Sequence, residues 1–377
     1  MGSGLRIAAL KERASDEHRV AITPETVKKF AFLGADVAVE EGAGLSASIP
    51  DGDYIAAGAQ VLPAASVVLD ADIVLGVQGP DPDQLHGAKP GAWIVGGLDP
   101  FGNRDRVNAY SAGGFEALAM ELMPRITRAQ SMDILSSQSN LAGYKAVIAA
   151  ADAFGRAFPM MMTAAGTISA ARVFVMGVGV AGLQAIATAR RLGAQVSATD
   201  VRSATREQIL SLGAKPIFVE SVRGIEGEGA GGYASEMSQE YLKAQAELVS
   251  AHIAKQDIVI TTALIPGRPA PRLITQAQIA TMKPGSVIFD LAAAQGGNVE
   301  GSVADEMAEY RGVKIMAYAN APAHLAADAS ALFARNLYNF LSAFWDNEQG
   351  RPVLDEEIGD AVRLTRGGKV VNERLME

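Results

Sequence analysis

The chain has 377 residues, of which 49% are hydrophobic and 20% are charged, and its formal net charge at pH 7 is −9. This length favours two domains, because a single hydrophobic core stops growing at about 250–300 residues, and the apolar content excludes global disorder. The acidic balance argues against a nucleic-acid partner, and the absence of cysteine excludes disulfides and thiolate chemistry while fitting a reducing cytoplasm.

No stretch of the sequence predicts direct insertion into a membrane. The N-terminus lacks the charged and apolar regions of a secretory signal. Residues 173–189 carry no charge, but this stretch is short for a bilayer and is interrupted by three glycines. The sequence therefore predicts a soluble protein that reaches a membrane only through a partner, and we expect no metal site.

The first 120 residues alternate between apolar strands and helices. Thr23 is a candidate N-cap with Pro24 at the first helical position, and Gly34 ends that helix. The pattern is typical of a doubly wound α/β domain, and because none of its turns carries a glycine cluster, we expect a Rossmann-like domain without a nucleotide. Its strands are predicted at residues 5–10, 36–40, 73–77, 93–97 and 116–120, and its helices at residues 24–33 and 104–112.

Residues 121–140 break this alternation with a dense set of polar side chains. Two interpretations remain open: these groups form a binding site, or the stretch is a polar connector that caps the long helix predicted at residues 141–158, which Pro159 ends. The polar residues are Arg125, Arg128, Gln130, Ser131, Asp133, Ser136, Ser137, Gln138 and Asn140.

A glycine turn lies between two strands predicted at residues 173–176 and 195–199. The turn reads Gly177-Val178-Gly179-Val180-Ala181-Gly182 and opens a helix predicted at residues 180–192. The first glycine allows the tight turn, the second lets a pyrophosphate approach the backbone, and the third lets the helix pack closely on the strand. The free N–H groups at the start of the helix complete the predicted anion site.

An acid, Asp200, closes the second strand of this unit. A carboxylate at this point accepts hydrogen bonds from the ribose 2′-hydroxyl and repels a 2′-phosphate, so the unit predicts NAD rather than NADP. Arg202 weakens that preference, because a basic side chain beside the acid could accept a phosphate. A glycine-rich turn without any ligand is the alternative interpretation.

Further apolar strands predict a second parallel sheet, and a final helix at residues 327–345 would return the chain to the first domain. We therefore expect an N-terminal domain of residues 1–138 and 326–377 and a nucleotide-binding domain of residues 139–325. The additional strands are predicted at residues 216–219, 258–261, 287–290 and 314–317.

A glycine-rich segment, residues 221–233, lies between two strands of the second domain. Glycine at this density does not hold one conformation, and Tyr233 at the end of the segment is a natural anchor. We expect either a lid that docks over the nicotinamide through Tyr233 or a solvated surface loop.

Several motifs resemble domain I of the proton-translocating nicotinamide nucleotide transhydrogenases. Together they extend over nearly the whole chain. The polar stretch is specific to that family, whereas the glycine turn alone is not. The chain resembles the version of the enzyme in which this domain is a separate polypeptide. The matching motifs are residues 125–133, 135–144, 158–163, 177–184, 231–234 and 261–267.

The resemblance implies a homodimer that binds NAD(H) and docks onto a subunit carrying NADP(H). That subunit would be attached to a membrane-spanning subunit that translocates protons, so we expect this chain at the cytoplasmic face of the inner membrane. The resemblance places the nicotinamide and its ribose against Arg125, Gln130, Asp133 and Ser136, with Tyr233 on the mobile loop. The other implied NAD(H) contacts are Ile126, Thr127, Gly177, Gly179, Val180, Ala181, Gly182, Asp200, Val201, Arg202, Gly232, Gln245 and Leu264.

The implied chemistry agrees with these residue types. A dehydrogenase that reduces a carbonyl must also place a proton donor beside the oxygen. Hydride transfer between two nicotinamides requires only close approach and exclusion of water, and the non-titrating Gln130 and Ser136 suit it. Our hypothesis is direct hydride transfer from NADH to NADP⁺ on the partner subunit.

Two alternatives remain. Alanine dehydrogenases share this architecture and a segment similar to residues 19–24, but the positions of their lysine and histidine fall near Gln78 and Asp99, and His18 and His86 are expected on the surface. The second alternative is a catalytically silent NAD-binding module, against which the polar stretch argues.

Overall fold

The computed structural model describes residues 4–219, 239–264 and 268–376. The chain divides into two compact units: unit 1 comprises Met1–Gln138 and Ala323–Glu377, and unit 2 comprises Ser139–Pro322. The C-terminal segment therefore belongs to the same unit as the N-terminus.

The strands are, in chain order, β1 (Arg6–Ala9), β2 (Asp36–Glu40), β3 (Gln60–Leu62), β4 (Ile73–Gln78), β5 (Trp93–Gly97), β6 (Glu116–Ala119), β7 (Met161–Thr163), β8 (Gly166–Ile168), β9 (Arg172–Met176), β10 (Gln195–Thr199), β11 (Lys215–Pro216), β12 (Ile258–Thr261), β13 (Val287–Asp290), β14 (Met307–Tyr310), β15 (Val313–Ala317), β16 (Trp345–Asp346), β17 (Arg351–Pro352), β18 (Thr365–Arg366) and β19 (Lys369–Val370). The helices are α1 (Pro24–Phe32), α2 (Asp51–Ala56), α3 (Ala64–Val67), α4 (Arg104–Ala112), α5 (Ile134–Ala153), α6 (Val180–Arg191), α7 (Thr205–Ser211), α8 (Gln239–Ile253), α9 (Gln276–Ile279), α10 (Ala326–Ala343) and α11 (Glu356–Val362). Among these, no helix has the length and apolar character needed to cross a membrane.

Unit 1 is built on a parallel sheet with the strand order β3-β2-β1-β4-β5-β6. This order is that of the Rossmann fold, and the direction of winding reverses between β1 and β4. The predicted cap of α1 is confirmed, because Thr23 and Thr26 exchange the two hydrogen bonds of a capping box. The predicted doubly wound α/β class is also confirmed.

Both faces of the unit 1 sheet are buried. Neighbouring residues of one strand point to opposite faces, so Ile7 of β1 and Ala8 belong to different hydrophobic clusters. Phe333 and Phe340 of α10 join the cluster of Ile7. The final helix therefore packs in the first unit, as the sequence predicts.

Unit 2 contains a seven-stranded sheet with the order β11-β10-β9-β12-β13-β15-β14. The prediction of a wholly parallel sheet is wrong at one edge, where β14 pairs with β15 in the antiparallel direction. β14 alternates exposed and half-buried residues, so it lacks the continuous apolar run that indicates a buried strand. The strand predicted at residues 216–219 is also wrong, because β11 ends at Pro216.

The long helix begins and ends earlier than predicted. It was expected at residues 141–158, but α5 extends over Ile134–Ala153. Asp133 caps it, since the Asp133 carboxylate accepts a hydrogen bond from the Ser136 N–H at 3.0 Å. The second half of the polar stretch is therefore helical rather than a connector.

Candidate functional site

The glycine turn of unit 2 follows β9 and is shaped by close backbone contacts. Gly177 has a φ of +99°, which side chains rarely adopt. A Cβ atom added to Gly182 would lie 1.9 Å from the carbonyl oxygen of Gly177. The predicted structural roles of these two glycines, the tight turn and the close helix packing, are therefore confirmed.

Gly179 has a different explanation, because nothing in the protein requires glycine there. It is the N-cap of α6 with a φ of −80°, which any residue adopts. A Cβ atom added to it would meet no atom within 4 Å. The missing side chain instead leaves clear access to the free N–H groups at the start of α6, which is the space that a pyrophosphate requires. This geometry fits a dinucleotide.

Asp200 is buried and holds the turn in place. Its Oδ2 accepts a hydrogen bond from the Val178 N–H at 2.7 Å and from Arg202 Nη2 at 3.0 Å. Its Oδ1 accepts the Arg202 N–H and Nε, both at 2.9 Å. A carboxylate offers about four acceptor positions, so all of them are used. A ribose hydroxyl can bind Asp200 only if the Arg202 side chain moves away.

The chain after β12 contacts the glycine turn. Thr262 Oγ1 donates to the Gly177 carbonyl at 3.0 Å. Asn298 is fully buried and binds the Ala263 peptide at both ends, accepting from its N–H at 3.0 Å and donating to its carbonyl at 2.9 Å. These contacts hold the backbone that leads into the exposed Leu264. Sequence reasoning missed Thr262 and Asn298, because their partners are distant in the chain.

The other predicted residues of unit 2 are distributed over several elements. Val180 and Ala181 begin α6, Val201 follows Asp200, and Gln245 is half-buried on α8. Gly232 and Tyr233, with the predicted lid, lie outside the described residues.

In unit 1, the predicted nicotinamide contacts lie on a 3-10 helix, Thr127–Met132, and on its flanks. Ala129 and Met132 are buried, and the side-chain amides of Asn336 and Asn339 on α10 donate to the Ser131 carbonyl at 2.8 and 3.1 Å. These contacts fix the segment. The predicted residues Arg125, Thr127 and Gln130 are exposed on it, and Ile126 is half-buried.

Some residues of the polar stretch have a structural role. Ser136 Oγ donates to Asp133 Oδ2 at 2.5 Å, so these two predicted site residues bind each other. Arg128 pairs with Asp355 at 2.6 Å and with Glu357. The exposed Gln130 is not explained by helix capping. Both interpretations of the stretch therefore hold for some of its residues.

Comparison with known proteins identifies the family. Residues 8–142 match the model described as alanine dehydrogenase/PNT, N-terminal domain, and residues 146–373 match alanine dehydrogenase/PNT, C-terminal domain. The first of the polypeptides that form the NAD(P) transhydrogenase alpha subunit of Rhodospirillum rubrum is 53% identical over 379 residues, covering 98% of this chain and 99% of that protein. The chain belongs to the NAD(P) transhydrogenase alpha subunits of this family.

A solved structure supports the same assignment. The crystal structure of transhydrogenase from Sinorhizobium meliloti is 52% identical, with a TM-score of 0.89, and covers 97% of this chain and 100% of that one. An alanine dehydrogenase of Mycobacterium tuberculosis is 30% identical over 308 residues, covering 79% of this chain and 75% of that protein. Full-length identity of about one half thus occurs with transhydrogenases, and the predicted resemblance is confirmed.

The winding reversal of unit 1 is filled by carboxylates in this transhydrogenase subunit. Glu12 accepts hydrogen bonds from the N–H groups of Val77 at 2.6 Å and Gln78 at 3.3 Å, and burial raises the pKa of Glu12 to about 7. Gln78, at the position expected for the alanine dehydrogenase lysine, donates to Glu17 at 3.1 Å. Glu17 also binds both Nε and Nη2 of Arg19.

The position expected for the alanine dehydrogenase histidine is also acidic. The Asp99 N–H donates to Glu121 Oε1 at 2.5 Å, and burial raises the pKa of Glu121 to about 7. His18 and His86 are both exposed, as predicted. Unit 1 therefore lacks a lysine or histidine at the two positions where alanine dehydrogenases use them.

Proposed function

We propose that this chain binds NAD(H) in unit 2 and takes part in direct hydride transfer between NADH and NADP⁺ held on a partner subunit. The observation that carries the proposal is Gly179, which faces open space although neither its backbone angles nor its packing require glycine. A ligand that approaches the start of α6 gives the reason for the missing side chain. Family membership identifies this ligand as a nicotinamide dinucleotide.

The proposal divides the nucleotide contacts between two sets of residues. The pyrophosphate is assigned to the N–H groups around Gly179, and a ribose to Asp200 after Arg202 moves. The nicotinamide end is assigned to the polar stretch and to Tyr233. The remaining assigned contacts are Ile126, Thr127, Val180, Ala181, Val201, Gly232, Gln245 and Leu264.

The polar stretch suits a reaction without proton transfer. The bound nicotinamide supplies or accepts a hydride, that is, one hydrogen with two electrons, so NADH and NADP⁺ become NAD⁺ and NADPH. Arg125 and Gln130 bind and orient through fixed N–H donors, and neither side chain is a general base at neutral pH. Asp133 and Ser136 are positioned by their mutual hydrogen bond at 2.5 Å.

The proposed assembly is a homodimer bound to an NADP(H)-carrying subunit and, through it, to a membrane-spanning proton-translocating subunit at the cytoplasmic face of the inner membrane. The name of the Rhodospirillum relative describes one portion of a subunit alpha, which indicates an enzyme made of several polypeptides. The β7–β8 hairpin supports a homodimer, because Met160 and Met162 are 62% and 80% exposed and Ile168 is 40% exposed. Apolar side chains grouped in this way are typical of contact surfaces.

The test is a hydride-transfer assay between NADH and an NADP⁺ analogue. The purified chain is assayed alone and after addition of the cognate NADP(H)-binding subunit. We expect no transfer by the chain alone and rapid transfer on mixing. Gln130→Ala should slow the transfer at least tenfold, whereas Gln60→Ala, which truncates an exposed glutamine on β3, should have no effect.

Two other results would support the alternatives. Oxidation of L-alanine by the chain alone would identify an alanine dehydrogenase-like enzyme. NADH binding without transfer, even with a competent cognate partner, would identify a catalytically silent module.

A further inference from the structure

One face of α5 is packed against the nucleotide-binding half of unit 2. A Cβ atom added to Gly143 would lie 2.0 Å from the carbonyl oxygen of Ala181, in the first turn of α6. Ala146, Val147 and Ala150 follow at helical spacing and belong to the unit 2 core. Gly143 is therefore the point at which this face passes the glycine turn.

Two contacts fix the direction of α5 in unit 2. The Ala153 carbonyl accepts a hydrogen bond from Lys314 Nζ at 2.7 Å, near the start of β15. The Phe158 carbonyl accepts one from the Ala171 N–H at 2.9 Å, directly before β9. The C-terminal end of α5 thus lies where the parallel strands begin, and Gly143 lies where they end.

The residues that precede Gly143 therefore extend beyond the carboxyl ends of the strands, where open α/β sheets bind their ligands. Asn140 and Ser139 are three and four residues before Gly143, so they lie on its face of the helix, with Cβ atoms about 5–6 Å from that position. The face is apolar along the core and becomes polar here. Asn140 is exposed, and Ser139 is half-buried.

We infer that Asn140 donates a hydrogen bond to the pyrophosphate of the nucleotide bound at the glycine turn. This inference rests on the proposed function of unit 2. The Ala181 N–H is one of the free donors at the start of α6, and Asn140 is one helical turn from the residue that contacts Ala181. Its amide provides two neutral donors on a helix that the Gly143 contact holds in place.

The experiment measures NADH affinity by the change in nicotinamide fluorescence, with ADP and adenosine as competitors. We expect Asn140→Ala to weaken NADH and ADP binding about tenfold and to leave adenosine binding unchanged, because adenosine has no phosphate. Asn140→Asp should weaken NADH further, since its carboxylate repels the pyrophosphate. The control is Asn108→Ala, which truncates an exposed asparagine on α4 of unit 1 and should change nothing.

Thermal unfolding is measured for each variant, and Asn140→Ala should keep the wild-type midpoint because the side chain is exposed. Equal NADH affinity of the wild type and Asn140→Ala would overturn the inference. A parallel loss of adenosine and ADP binding would also overturn it, because the effect would not depend on phosphate. Failure of the wild-type chain itself to bind NADH is a separate result, which would contradict the proposed function.

Discussion

Units 1 and 2 share a strand order but differ at the turn after the first strand of each large sheet. In unit 1, β1 is followed by Leu10, Lys11 and Glu12, and the Glu12 carboxylate binds the end of β4. In unit 2, β9 is followed by the glycine turn, and Gly179 faces open space. The same scaffold thus presents a carboxylate in one unit and free N–H groups in the other.

The two units also share a feature that sequence reasoning treats as a nucleotide signal. Glu40 ends β2 and accepts the Lys11 N–H at 2.9 Å, just as Asp200 accepts the Val178 N–H at 2.7 Å. Each N–H belongs to the second residue after its strand. An acid at this point therefore stabilises the turn whether or not a glycine cradle follows, and the glycines carry the functional signal.

The largest predicted effect is that of Gly182→Ala. The new Cβ atom would lie 1.9 Å from the Gly177 carbonyl oxygen, so the helix or the turn must shift. We expect the free energy of unfolding to fall by about 2–3 kcal/mol and NADH binding to be lost. Chemical denaturation and NADH titration measure both. Gly52→Ala in α2 of unit 1, where a Cβ meets nothing within 4 Å, is the control. Wild-type stability of Gly182→Ala would contradict the packing argument.

Gly179→Ala should separate binding from folding. Its Cβ atom would meet no protein atom within 4 Å, so we expect an unchanged unfolding midpoint. NADH affinity should fall about 10- to 100-fold, because the methyl group occupies the approach of the pyrophosphate. Calorimetric titration with NADH measures this effect. Unchanged affinity would remove the observation on which the proposed function depends.

Asp200→Asn and Glu40→Gln compare the two turn-holding acids directly. Each removes a charged acceptor of a backbone N–H and of an arginine, so each should lower the free energy of unfolding by about 1–3 kcal/mol. Only Asp200→Asn should also reduce the preference for NADH over NADPH, as measured by competition titration. An equal change of preference in Glu40→Gln would show that the effect is indirect.

Glu12→Gln tests the carboxylate in unit 1 through pH. The folded pKa of about 7 exceeds the ordinary value of 4.5, so the folded state binds more protons between these values and wild-type stability falls as pH rises through that window. The variant should lack this component of the slope. Its stability relative to the wild type should rise by on the order of 1 kcal/mol from pH 4.5 to 7. Parallel unfolding curves across this range would contradict a raised pKa.

The sequence predicts the strands of both units well, because buried parallel strands are short apolar runs bounded by glycine or polar residues. The start of α5 was missed for a physical reason. Asp133 followed by Ser136 is a helix-cap signal, but the surrounding polar residues favoured a binding site or a connector. The edge strand β14 was missed because it is half exposed and pairs in the antiparallel direction.

The candidate site could be predicted only partially. The glycine turn is local, so its geometry follows from its spacing. The contact between Asn298 and Ala263 joins residues 35 positions apart, and the saturation of Asp200 by Arg202 depends on the side-chain conformation. Such contacts form only after the sheet has assembled and have no local sequence pattern.

The most direct test of the central claim uses NADH deuterated at both C4 positions. This nucleotide, the chain, its cognate NADP(H)-binding subunit and NADP⁺ are mixed in ordinary water, and the NADPH formed is examined by mass spectrometry. Direct hydride transfer predicts one deuterium in each NADPH molecule and none when the partner subunit is omitted. NADPH that carries only solvent hydrogen, or no NADPH at all with a competent partner, would contradict the account.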